Sequence, residues 1–178
     1  MALRKGNKSA FDTLYQKYFP LLYGYGLHFT SDKALIKDCL QDLFVDLYVK
    51  RNRLTQVTYV KSYLFQILRR TVLKKREQPP YEYSELTPGI AVSLSHEQEL
   101  ILGQLEKDKQ VHLQNALQQL TAHQREALFL RFYQNLDYRA IAEIMDLKEV
   151  KSARTLIYRS LTVLKEYLKK KETSLTLY

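Results

Sequence analysis

Asp38, Asp42 and Asp46 recur every four residues, a spacing that lines three carboxylates along one helical face and is the chain's nearest approach to a metal-collecting set. Such a site needs a second acidic helix or a histidine partner. Neither accompanies the row, which therefore reads as a solvated or protein-binding face. His28, His96, His112 and His123 lie far apart, and none has a second ligand at helical or knuckle spacing. Cys39 stands alone on an apolar helical face, the position of a small core residue, and cannot found a disulfide framework. No glycine-rich phosphate loop, dinucleotide fingerprint or nucleophile elbow occurs. These residues argue against an enzyme: no catalytic residue, no cofactor, no resident metal and no small-molecule substrate are expected.

What remains is recognition of an anion. In the stretch DYRAIAEIMDLKEVKSARTLIYRSLTVL, residues 137–164, two short helices meet at a tight turn, the sequence shape of a helix-turn-helix. Asp137 is placed to cap the first helix, with Leu136 and Ile141 as a hydrophobic staple and Ile141, Ile144 and Met145 as the apolar face. Asp146 tolerates left-handed backbone angles and marks the corner, and Leu147 can turn inward to seal it. In the second helix Ala153, Leu156, Ile157, Leu161 and Leu164 share the packing side, opposite Lys151, Arg154, Thr155, Tyr158 and Lys165. Lys151, Arg154 and Thr155 lie where a helix-turn-helix brings side chains to base edges, whereas Arg139 and Arg159 are better placed for phosphates. A solvated basic face is the plainer reading of the same pattern.

The elements upstream are read in chain order. Ser9 with Asp12 resembles a capping box, followed by Phe11, Leu14, Tyr15, Tyr18 and Phe19 at helical core spacing, and Pro20 is expected to break or kink that helix. A second helix over 31–50 carries a wide stripe from Leu35 to Tyr48 and ends at Lys50, Arg51 and Arg53. After Thr58 as N-cap, a third helix has Val60, Tyr63, Leu64, Ile67, Leu68 and Val72 as its expected core face and a basic tail of Arg69, Arg70, Lys74, Lys75 and Arg76. Pro79, Pro80, Pro88 and Gly89 give residues 77–94 the composition of a linker. Ser95 with Gln98 restarts a helix, and Thr121 with Gln124 forms a further capping box before Ala127 to Phe132.

Net charge follows the same division: +10 over residues 1–76, -5 over 77–110 and +4 over 111–178, for a total of +9. Two basic blocks around an acidic connector suit two modules that follow a polyanion. With no period-two alternation of useful length, the expected fold is all-α, two small helical domains joined by a flexible acidic linker, bounded at 1–76, 77–94 and 95–178. The longest nearly apolar run, Phe19 to Phe29, carries Pro20, Gly24, Gly26 and His28. It falls short of the roughly 20 residues a membrane span needs. The N-terminus lacks a signal-like apolar core, so a cytoplasmic protein is expected.

The run LIKDCLQDLFVDLYVKRNRL, with Asp38, Gln41 and Phe44 at Asp-x-x-Gln-x-x-Phe spacing, resembles the region 2 helix that docks on RNA polymerase in bacterial sigma factors of the extracytoplasmic function group. VKSYLFQILRRTVLKKRE resembles that family's helix for the -10 promoter element, and LQNALQQLTAHQREALFLRFYQNLDYRAIAEIMDL resembles region 4. The resemblance spans most of the chain. It departs from the family pattern at Arg69-Arg70, where many members have Arg-Asn, and at Asp146, where Gly is common.

The resemblance implies promoter DNA and core RNA polymerase as partners, together with an anti-sigma factor. Polymerase binding is expected at Asp38, Gln41, Asp42 and Phe44. Contacts with the -10 element are expected from Arg51, Arg53, Tyr59, Lys61, Gln66, Arg69, Arg70 and Lys74. Contacts with the -35 element are expected from Arg139, Lys151, Arg154, Thr155, Tyr158 and Arg159. The alternative is a free-standing helix-turn-helix regulator that never meets polymerase.

Overall fold

The structure, a computed structural model, describes residues 8–51, 59–77, 111 and 113–175, and every regular element among them is helical. The expected connector over 54–57, the Thr58 cap, Arg53, the linker over 78–94 and the Ser95–Gln98 capping box lie outside the described residues. The chain divides into two compact units, the first built on three helices and the second on the helix-turn-helix and the elements before it.

In the first unit α1 (Lys8–Gly26), α2 (Lys33–Val49) and α3 (Val60–Arg76) pack against one another. α1 corrects two expectations. Ser9 lies inside the helix, its carbonyl accepting from Thr13 Oγ1 at 2.8 Å, so it is not the N-cap. Of the break or kink expected at Pro20, the break does not occur: the helix runs on to Gly26 with Pro20 inside it. Both Pro20 and Gln16, whose carbonyl would otherwise accept the missing N–H, are exposed, so water can serve the orphaned oxygen. α1 ends at Gly26, where a Cβ would come within 2.7 Å of Ile36 Cγ2, so a larger residue there would displace the buried Ile36 side chain.

Asp32 caps α2, its Oδ1 accepting from the Ala34 and Leu35 amides at 2.9 and 3.0 Å. The stripe read from sequence is buried at Leu35, Ile36, Cys39, Leu40, Leu43, Phe44 and Leu47. Burial also pushes the Cys39 thiol's pKa up.

The core face of α3 is rotated from the one expected. Ser62, Leu64, Phe65, Leu68 and Val72 are buried, whereas Val60 is exposed and Tyr63 and Ile67 are half-buried. Phe65 wins the inward place because its ring meets the fully buried Tyr25, centroids 4.8 Å apart.

In the second unit a helical segment over 113–118 buries Ala116 and leads to α4 (Ala122–Leu128), which Thr121 opens with the reciprocal capping box expected from sequence. Arg125 donates from Nη1 to the Leu120 carbonyl, closing the end of the preceding segment. α4 runs into a π turn, Phe129–Tyr133, in which the Gln134 amide reaches back to the Phe129 carbonyl at 3.0 Å. α5 (Tyr138–Ile144) and α6 (Val150–Leu175) complete the helix-turn-helix.

Candidate nucleic-acid and protein interfaces

The helix-turn-helix corner is built by local chemistry. Asp137 Oδ1 accepts from the Ala140 amide at 2.7 Å, fixing the start of α5, while Leu136 and Ile141 are both buried as a staple requires. Asp146 takes φ 56°, and the Leu147 amide then reaches back to the Ala142 carbonyl at 2.9 Å, the long bond of a Schellman turn. That turn releases the chain into α6. Ala153 and Ile157 face inward as expected, but Leu161 does not: it is exposed, and Ser160 holds the buried place instead. The Ser160 hydroxyl donates to the Leu156 carbonyl at 2.7 Å, so its polarity is met within the helix.

Lys151, Arg154, Thr155, Tyr158 and Arg159 are all exposed on α6, and Arg139 is exposed on α5. Beside them a groove of about 450 Å³ runs between His123 and α6, lined among others by Lys151, Ser152, Thr155 and Arg159. Sequence reasoning missed His123 and Ser152. No periodic signal links them, because α4 and α6 come together only through the fold. It also missed Tyr138, whose ring centroid lies 4.9 Å from the Arg131 guanidinium and 5.3 Å from that of Arg154.

In the first unit the basic tail of α3 divides in two. Lys75 Nζ bonds Asp42 Oδ2 at 2.6 Å, and Arg76 Nη1 donates to the Phe29 carbonyl at 2.9 Å, so these two cations hold the helix in place. Arg70 and Lys74 are exposed, Arg69 and Gln66 are half-buried, and Tyr59 stands 71% exposed ahead of the helix. Lys61 is half-buried over the Phe65 ring, 5.9 Å from its centroid. Burial, and after it the nearby Lys17 charge, pushes the Lys61 pKa down. Arg51 is turned back onto its own helix, donating to the Tyr48 carbonyl at 2.7 Å with its guanidinium 4.5 Å from the Tyr48 ring.

On α2, Asp38, Gln41 and Asp42 are exposed. The acid row is served by cations, Asp42 by Lys75 and Asp46 by Lys50, each at 2.6 Å. Among the described residues no three His, Cys, Asp or Glu side chains gather as a metal set would. Phe44, expected at the polymerase face, is only 3% exposed; its ring packs against Tyr15 at 4.8 Å and meets Phe11 edge-on at 6.2 Å. It forms part of the wall of a groove between α1 and α2, about 660 Å³, also lined by Phe11, Tyr15, Phe19, Val45, Tyr48 and Val49. Val45 and Val49 were missed, although they follow Gln41 at four-residue steps along the line next to Asp38 and Asp42. No helix among the described residues is long and apolar enough to cross a membrane.

Two family descriptions match the chain: Sigma-70 region 2 over residues 14–78 and Sigma-70, region 4 over residues 111–164. The chain is 27% identical over 156 residues to the ECF RNA polymerase sigma factor SigM of Bacillus subtilis, covering 84% of this chain and 89% of that one. Two solved structures share the fold. CnrH in complex with the cytosolic domain of CnrY has a TM-score of 0.61 at 17% identity, over 94% of this chain and 93% of that one. The sigma factor RpoE in complex with the anti-sigma factor NepR from Bartonella quintana has a TM-score of 0.60 at 22% identity, over 90% of this chain and 97% of that one.

Proposed function

The chain belongs to the sigma-70 family, in the extracytoplasmic function group of bacterial RNA polymerase sigma factors, and from that membership we propose how its two units share the work. The protein binds core RNA polymerase and directs promoter recognition and opening during transcription initiation. It acts by binding, in the cytoplasm where polymerase and promoter meet. Residues 1–76 serve as region 2, residues 77–94 as the linker, and residues 95–178 as region 4.

The observation that carries this reading is the outer face of α2. Val45 and Val49 stay 53% and 65% exposed beside Asp38 and Gln41, an apolar line edged by acid that the unit's own core does not cover. A regulator working alone has no use for such a line next to a second basic helix. In this assignment Asp38, Gln41, Asp42 and Val45 meet polymerase, while Phe44 supports them from within. Tyr59, Lys61, Gln66, Arg69, Arg70 and Lys74, with Arg51 and Arg53, serve the -10 element: the ring stacks an unpaired base and the cations hold the backbone.

Lys151, Arg154 and Thr155 read the -35 element, while Arg139, Tyr158 and Arg159 hold its phosphates. CnrH and RpoE are each held in complex, by CnrY and by the anti-sigma factor NepR. An anti-sigma factor is accordingly the third partner. Core subunits should co-purify with the tagged protein, and the protein with core enzyme should give run-off transcripts from a subset of genomic fragments. Transcripts without any dependence on added protein would overturn the assignment.

A further inference from the structure

We propose that Tyr138 is a positioning residue for promoter reading: with Arg131 behind it, its ring sets the guanidinium of Arg154 in the orientation from which it meets a base. The inference rests on the -35 role given to Arg154 above. Arg131 is fixed first, its Nη1 donating to the Leu136 carbonyl at 2.9 Å across the end of the π turn. Its guanidinium then lies 4.9 Å from the centroid of the Tyr138 ring, and the same ring lies 5.3 Å from Arg154. Both separations fall within the reach of a cation over an aromatic face.

Among the described residues Arg154 makes no hydrogen bond or ion pair, so the ring is what orients it. A long exposed arginine otherwise samples many rotamers, and a bidentate contact with guanine demands one planar arrangement. Tyr138 is itself anchored at the first position of α5, just after the Asp137 cap, so the ring is carried by backbone that the corner already fixes. Two like charges beside one ring repel each other, and an arriving polyanion relieves that repulsion. The arrangement therefore favours the DNA-bound state without a change of fold.

The test is transcription by reconstituted holoenzyme from a promoter library randomised over the -35 element, with five proteins: parent, Tyr138→Phe, Tyr138→Leu, Arg154→Ala and the double variant of Tyr138→Leu with Arg154→Ala. Tyr138→Leu should shrink preference at the one position that Arg154→Ala relaxes, by roughly fivefold, while Tyr138→Phe keeps it. In the Arg154→Ala background Tyr138→Leu should change no preference further. Should Tyr138→Leu fail to fold, pentafluorophenylalanine at position 138 keeps the ring's shape, reverses its face charge, and should cause the same loss. A uniform fall across all promoters, or an equal effect with and without Arg154, would overturn the inference while leaving the -35 role intact. No positional effect of Arg154→Ala would overturn both.

Discussion

Lys75 Nζ lies 2.6 Å from Asp42 Oδ2, tying the basic end of α3 to the acid row of α2. The bond raises the Lys75 pKa, with partial burial opposing it. A lysine whose folded pKa exceeds its unfolded one lends stability in full below the ordinary lysine range, and loses it as pH climbs through the raised value. Asp42 is largely exposed, so solvent screening keeps the coupling small, about 0.5 kcal/mol. A double-mutant cycle of Lys75→Met and Asp42→Asn, read by urea unfolding, should return that coupling near neutral pH and none well above the lysine range. A coupling that persists there would mean that the link is not ionic.

Lys61 carries the opposite sign. Its charged form is disfavoured in the fold by burial and by Lys17, so it costs stability at neutral pH and the cost fades as pH approaches the lysine range. Lys61→Met should raise Tm by about 2 °C at pH 7, with a smaller difference at higher pH, and should weaken promoter opening. A lower Tm would show that packing over Phe65 outweighs the desolvation.

The polymerase face is tested by reversing its charge without touching the core. Asp38→Lys with Gln41→Lys should weaken binding to core enzyme by at least about tenfold, and Val45→Glu should do the same from the adjacent line. Circular dichroism should stay unchanged, because all three side chains are exposed. Parental affinity in either variant would remove α2 from the interface.

Strand opening should depend on Tyr59 and Arg70. Stacking of a base on an aromatic ring is worth about 1–3 kcal/mol, so Tyr59→Ala with Arg70→Ala should cut permanganate reactivity at the open -10 element about tenfold while core binding holds. Parental reactivity would return Tyr59 to an ordinary surface residue.

Where local chemistry decides, the sequence was legible. Asp137, Asp146 and the Thr121–Gln124 pair act on backbone groups within five residues, and each sits where its residue type demands. The rotated face of α3 was not legible, since Val60, Tyr63 and Ile67 fit helical spacing beside Leu64 and Leu68 as well as Ser62 and Phe65 do. The choice falls to Tyr25, which comes from another helix. Ser160 was hidden because its hydroxyl is satisfied by its own backbone and leaves no apolar mark. The division of the α3 cations was hidden too: Lys74 and Lys75 look alike in sequence, and only the approach of α2 turns one of them inward.

The π turn at Phe129–Tyr133 sets the angular phase of everything after it. One residue more than a regular turn advances the chain by about 100° around the axis, and Phe132 and Tyr133 consequently project outward, 62% and 57% exposed. Deleting a single residue there would let α4 continue as a uniform helix, with little lost in helical content. The chain would leave α4 in a different azimuth, however, carrying the Asp137 cap and both helices behind it away from the direction α4 now gives them. The one extra residue of the π turn thus aims the second unit's basic face relative to α4.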